Sequence, residues 1–191
     1  MNVTMRKRMS VEEFLAWERR QELRYEFDGT QPVAMTGGTV EHSVIATNLV
    51  RALEDRLRDG PCRAFRGDLK ILVNGRVRYP DAMVTCSEVS RDADIVPDPV
   101  IVFEVLSAGI ASIDRIEKNT DYRLTPSIRD YVMLEQTTQA ATVFSRSGDD
   151  WTGRVATEAA VLRFPELGVE LPLAEIYGEL FSAGPNADTE G

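Results

Sequence analysis

Val100-Ile101-Val102-Phe103-Glu104-Val105-Leu106 is the most apolar run in the chain, and one charged residue stands inside it. Such a run reads as a strand buried on both faces, at the centre of a sheet. Alternation puts Glu104 on the same face as Val102 and Leu106. Burying an uncompensated carboxylate costs several kcal/mol. Glu104 therefore demands a cation, a proton or a solvent-filled cleft.

The elements around this strand follow from periodicity. Downstream, residues 113–124 read as a helix that ends before Thr125-Pro126. Residues 131–135, 141–145, 151–157 and 160–164 read as strands, 173–180 as a short helix and 182–191 as a frayed tail. Phe144, Trp151 and Phe164 are most simply core. Upstream lies a polar loop over 86–99, preceded by strands at 63–66 and 69–73, the hairpin turn Asn74-Gly75 and a returning strand over 76–85. Pro80 inside that strand implies an edge or a bulge. Nearer the N-terminus, Ser10 and Glu13 form a capping box opening a helix to about residue 20. A hairpin at 25–27 and 32–35 flanks Asp28-Gly29, and a longer amphipathic helix runs from Glu41 past Leu57. The pattern is a single α+β domain over residues 1–181, with a mixed β-sheet flanked by helices and a C-terminal β extension.

A length of 191 residues suits one domain, and 43% hydrophobic content excludes a disordered chain. The net charge of −9 is uneven, −2 over residues 1–130 and −7 over 131–191. That excludes coating of nucleic acid by charge alone and places any polyanion site in the first two thirds. No apolar run reaches the ~18 residues of a membrane span. No apolar signal core follows the basic residues Arg6-Lys7-Arg8. A soluble, cytoplasmic protein is expected. Cys62 and Cys86 have neither metal-ligand spacing nor neighbouring histidines, and read as buried free thiols of a reducing compartment.

Asp81, directly after Pro80, is the natural companion of Glu104, since adjacent strands could bring the two carboxylates together. A hard divalent cation such as Mg²⁺ is commonly held by one or two carboxylates, a carbonyl and waters. Lys118 lies on the helix after the central strand, where one long cation can reach back to the sheet. Each residue also has a plainer reading. Glu104 could pair with an arginine on the sheet, Asp81 could be a turn residue, and Lys118 could be solvated. Glu26 could be a cross-strand partner in the first hairpin. His42 could touch a phosphate or pack at a helix start, and Asp68 could serve the site or only its turn. Tyr122 shares the helix face of Lys118. Arg76 and Arg78 alternate on the strand toward Asp81, suiting either a nucleic-acid backbone or the protection of an edge.

The ordered set of motifs resembles the Uma2 family, a branch of the PD-(D/E)xK nuclease superfamily. The resemblance spans roughly residues 9 to 180. It rests on Tyr25-Glu26-Phe27-Asp28-Gly29, Glu41-His42, Asn74 through Asp81, Val102-Phe103-Glu104-Val105-Leu106-Ser107, Asp114 and Lys118-Asn119-Thr120-Asp121-Tyr122, with Leu171-Pro172-Leu173 near the end. It implies a restriction-endonuclease-like core with Asp81 as motif aspartate and Glu104 as motif acid. Leu106 stands where the superfamily's usual lysine would be, and Lys118 substitutes for it. Glu26 corresponds to an N-terminal acid near the metal. The implied centre holds Mg²⁺, or Mn²⁺ in its place, on Asp81, Glu104 and the Val105 carbonyl. DNA is the implied substrate, and a homodimer is expected. The competing reading is a catalytically silent member that binds a partner or self-assembles. A hydrolase of small phosphoesters would instead need a narrow closed pocket.

Overall fold

The computed structural model describes residues 8–35, 37–107 and 112–181. The expected tail at 182–191 and the basic residues Arg6 and Lys7 lie outside the described residues. In order, the elements are α1 (Val11–Glu18), β1 (Tyr25–Phe27), β2 (Pro32–Ala34), α2 (Val40–Leu57), β3 (Arg63–Arg66), β4 (Ile71–Val73), β5 (Arg76–Arg78), β6 (Ala82–Thr85) and β7 (Pro99–Leu106). They continue with α3 (Ser112–Leu124), β8 (Asp130–Glu135), β9 (Ala140–Ser147), β10 (Asp150–Thr157), β11 (Val161–Phe164), β12 (Val169–Pro172) and α4 (Leu173–Tyr177).

The main sheet has the strand order β10-β9-β8-β7-β6-β3. The apolar run is its inner strand β7, antiparallel to β6 and parallel to β8. A parallel neighbour requires a crossover, and α3 supplies it. Ile101, Phe103 and Val105 of β7 enter one core with Ile45, Leu49 and Leu53 of α2, Leu162, Leu171 and Tyr177. Val102 enters a second core on the opposite face, with Tyr122 of α3, Tyr131 and Ile71. A smaller sheet, β2-β1-β5-β4, carries a third core, in which Phe14 of α1 stacks on Phe27 with ring centroids 4.9 Å apart.

Two expectations need correction. The strand expected over 76–85 is two strands in two sheets, β5 in the small one and β6 in the large one. Tyr79-Pro80-Asp81 is the step between them. Pro80 has no N–H for either ladder, so the chain leaves one sheet there and joins the other. The cysteines are not free thiols. Cys62 and Cys86 form a disulfide at the end of the β3–β6 ladder, whose last pair is Arg63 with Thr85. Spacing alone hid this, because the two residues become neighbours only when β3 and β6 pair. The free thiols that pointed to a reducing compartment are gone with it.

Smaller differences lie at the C-terminus. The short helix expected over 173–180 is α4 followed by a 3-10 turn, Gly178–Phe181, and β12 pairs with β11 where no strand was expected. Among the described residues no helix is long and apolar enough to cross a membrane.

Candidate active site

The register that pairs Ala82 with Phe103 sets Asp81 opposite Glu104, at the point where β6 begins. Directly opposed residues of an antiparallel pair project to the same face, so both carboxylates share one side of the sheet. Asp81 is fixed from two sides. Its Oδ2 accepts the Val105 N–H at 2.7 Å, and its Oδ1 lies 3.1 Å from His42 Nε2. A residue in an extended strand presents N–H and C=O to the same side. The Val105 carbonyl therefore also faces the edge where Asp81 stands.

Glu104 is buried, with Tyr122 Oη donating to its Oε1 at 2.6 Å. Lys118 Nζ lies 3.3 Å from Glu104 Oε1 and 3.2 Å from Glu26 Oε1, so one ammonium bridges two buried carboxylates. Burial pushes the Glu104 carboxyl up to about 7; Lys118 opposes this, while the charges of Asp81 and Glu26 add to it. The hydrogen bond to Asp81 raises the His42 pKa, burial works against that, and the Asp81 and Glu104 charges reinforce it. Burial, with Glu104 close by, lifts the Tyr122 hydroxyl well above the usual phenol range, so it remains a donor.

A further layer fixes Glu26. Arg78 Nη1 donates to its Oε2 at 3.0 Å and the Tyr79 N–H to its Oε1 at 3.2 Å. The other edge of Arg78 grips Asp121 Oδ2, Nη2 at 2.7 Å and Nε at 3.0 Å. Burial disfavours the Arg78 charge, but Glu26 and Asp121 outweigh it and hold the guanidinium firmly protonated. Arg78 is therefore an internal clamp on an inner strand of the small sheet, which fits neither of the two readings left open for it, a nucleic-acid backbone contact or the protection of an edge. Arg76, half-buried, pairs with Glu117 at 2.9 Å.

The expected set of Asp81, Glu104, Lys118 and Glu26 thus gathers around one point, joined by His42 and Tyr122. Asp121 was missed as a member. On α3 it lies three residues beyond Lys118, the helical spacing that shares a face, and that was the available signal. Among the described residues no three His, Cys, Asp or Glu side chains form a ready metal cage. Mg²⁺ needs no such cage, since it commonly keeps several of its waters. Two carboxylates and a carbonyl, all hard oxygens, are a donor set that fits it.

Beside Asp81 opens a cleft of about 430 Å³, lined in part by Arg24, Thr39, His42, Arg66 and Asp68. Gly38 and Gly67 also line it, each where a side chain would intrude. A Cβ on Gly38 would come within 2.9 Å of His42 Nδ1, and one on Gly67 within 3.1 Å of the Pro80 carbonyl.

Comparison with known proteins places this geometry. The crystal structure of a protein described as "a putative nuclease belonging to DUF820", from Anabaena variabilis ATCC 29413, superimposes with a TM-score of 0.75. The match covers 91% of this chain and 99% of that one at 17% identity, so it shows a shared fold. Two uncharacterized proteins of Synechocystis sp. are similar in sequence. One is 31% identical over 174 residues, covering 89% of this chain and 92% of its own length. The other is 25% identical over 154 residues, covering 78% and 87%. The model of the Uma2 family, described as "Putative restriction endonuclease", matches residues 11–174. With most of its length inside that match, the chain belongs to the Uma2 family.

Proposed function

We propose that this protein is a Mg²⁺-dependent endonuclease that hydrolyses phosphodiester bonds of DNA. The observation that carries the proposal is the buried Glu104, in the middle of the most apolar strand, facing Asp81 and sharing Lys118 with Glu26. Burying so many carboxylates together is unfavourable unless a cation offsets them. Among the described residues Arg78 and Lys118 both serve Glu26, but Lys118 is the one cation paired with Glu104, and Asp81 has only His42.

Asp81, Glu104 and the Val105 carbonyl would hold the ion, with Mn²⁺ able to replace it. Bound there, a divalent ion supplies a Lewis acid for the scissile phosphate and lowers the pKa of a coordinated water. The protein's own groups supply the rest. The Val105 N–H fixes the Asp81 carboxylate, and the Tyr122 hydroxyl holds Glu104 Oε1. Lys118 Nζ directs a hydrogen bond toward the attacking water and offsets charge gathering on the phosphate oxygens. Glu26 holds Lys118 in place. His42 secures the second oxygen of Asp81.

Incubation of supercoiled plasmid with purified protein tests the proposal, with Mg²⁺ or Mn²⁺ and then with chelator. Metal-dependent nicking by the wild type, absent in Glu104→Gln, is the expected result. Equal nicking by both would remove Glu104 from the chemistry. No nicking of single- or double-stranded DNA by either protein would overturn the enzyme and leave a silent binding member of the family.

A further inference from the structure

Building on the nuclease reading, we infer that the cleft between the start of α2, the end of β3 and the start of β1 seats the phosphodiester backbone beside the scissile bond, with Arg24 and Arg66 as its phosphate contacts. Three observations converge here. Both guanidiniums line the cleft, and among the described residues neither has an ion-pair partner. In a chain with 31 acidic and 22 basic residues, carboxylates to pair with are plentiful. Arg76 and Arg78 of the neighbouring strand have found theirs.

The elements that carry the two arginines also carry the site. Arg24 immediately precedes β1, whose Glu26 anchors Lys118. Arg66 ends β3 opposite Ala82, the residue after Asp81, and the Gly67 N–H donates to the Asp81 carbonyl at 3.1 Å. A backbone phosphate between the two guanidiniums would therefore lie along the strand leading to Asp81. The cleft is also kept open. Gly38 and Gly67 are the positions where an added Cβ would meet His42 or the Pro80–Asp81 backbone. Asp68 is the opposing element, an exposed carboxylate on the same wall that a polyanion must approach.

The contacts are to phosphate, so they set position and affinity without reading sequence. Each phosphate neutralised by a side chain releases condensed counterion, which makes affinity fall with salt. The test is fluorescence anisotropy of a labelled DNA duplex titrated with full-length protein in chelator, at several salt concentrations. Arg24→Gln and Arg66→Gln are each expected to weaken binding equally on unrelated sequences and to reduce the slope of log affinity against log salt by about 1. Asp68→Asn is expected to tighten binding. Arg154→Gln, on β10 at the opposite edge of the main sheet, is expected to leave it unchanged. Slopes equal to wild type in both arginine variants would overturn the assignment, as would no binding of the duplex at low salt, or an equal loss in Arg154→Gln. Failure of the nuclease reading looks different. Plasmid that stays intact while the arginine slopes fall would remove the enzyme and keep the cleft, whereas nicking with unmoved slopes would do the reverse.

Discussion

Arg78 and Arg66 each end a short strand in the same half of the chain, and their surroundings are opposite. Arg78 is buried between Glu26 and Asp121, with all its hydrogen-bonding edges committed. Arg66 borders an open cleft with no ion-pair partner among the described residues. The difference lies in how many carboxylates each can reach. Around β1, β5 and α3, Glu26, Glu117 and Asp121 surround the cations, and the result is a closed network that holds Glu26 and through it Lys118. Around α2 and β3, Asp81 is taken by His42 and Val105, so the arginines are left to solvent or to a ligand. Identical side chains serve as a scaffold on one side and as a reachable surface on the other.

Deleting each guanidinium tests that division most strongly. Arg78→Ala leaves Glu26 and Asp121 buried without their main cation, a loss of about 3–5 kcal/mol. Arg66→Ala is expected to stay within about 0.5 kcal/mol. Urea unfolding of both variants measures the contrast, and equal shifts of midpoint would break it. The cleft side has a covalent tie instead, because the β3–β6 ladder that ends at Arg66 begins at the Cys62–Cys86 bridge. The bridge spans 24 residues. Releasing it restores chain entropy to the unfolded state, worth about 3 kcal/mol. Urea midpoints with and without dithiothreitol measure this, and Cys62→Ser is expected to reproduce the reduced value and lose all response to the reductant.

Much of this arrangement was legible in the sequence, where local signals and burial agreed. The apolar run around Glu104 marked the inner strand, the Asn74-Gly75 turn marked the hairpin, and the capping box of Ser10 and Glu13 opens α1 as read. Glu26, Asp81, Glu104 and Lys118 could be named before their geometry was known. What escaped depends on long-range pairing. The chain from Arg76 to Thr85 has one strand-like pattern, and only the presence of two sheets divides it. Cys62 meets Cys86 through a ladder of residues remote in sequence. Arg78 looks like a surface cation until Glu26 and Asp121, from β1 and α3, close over it. The buried pair of Lys70 and Glu18, 2.6 Å apart with Tyr79 donating to the same carboxylate, was hidden in the same way.

The closed side should also titrate. Glu104 keeps its proton in the folded, metal-free protein up to about 7, because burial and the Asp81 and Glu26 charges outweigh Lys118. Its unfolded value is near 4.5. Between these limits the folded state binds more protons than the unfolded one, so stability falls as pH rises through the window and levels above it. His42, also raised, contributes with the same sign at the upper end. The difference between wild type and Glu104→Gln isolates the carboxyl. Urea midpoints across this range are expected to fall with pH more steeply in wild type than in the variant. Arg66→Gln is expected to follow the wild-type profile. Parallel curves for wild type and Glu104→Gln would show that the carboxylate finds its charge compensated.

The smallest effect probes the seam between the two sides, where His42 meets Asp81. Gly38 leaves room for the imidazole, since a Cβ there would stand 2.9 Å from Nδ1 and 3.0 Å from Cγ. Gly38→Ala must swing the ring and lengthen the 3.1 Å contact between Nε2 and Asp81 Oδ1. Gly38 is exposed, so the fold is expected to tolerate the change within about 0.5 kcal/mol. Loss of one hydrogen bond to Asp81 is worth about 1 kcal/mol, or roughly fivefold in the rate of plasmid nicking. Gly37→Ala is the control, because nothing lies within 4 Å of a Cβ at that position. His42→Ala is expected to match Gly38→Ala, and combining the two to add nothing, as for changes acting through one contact. An additive double variant would mean that Gly38 shapes the cleft for the bound strand and that the His42–Asp81 contact is incidental to it.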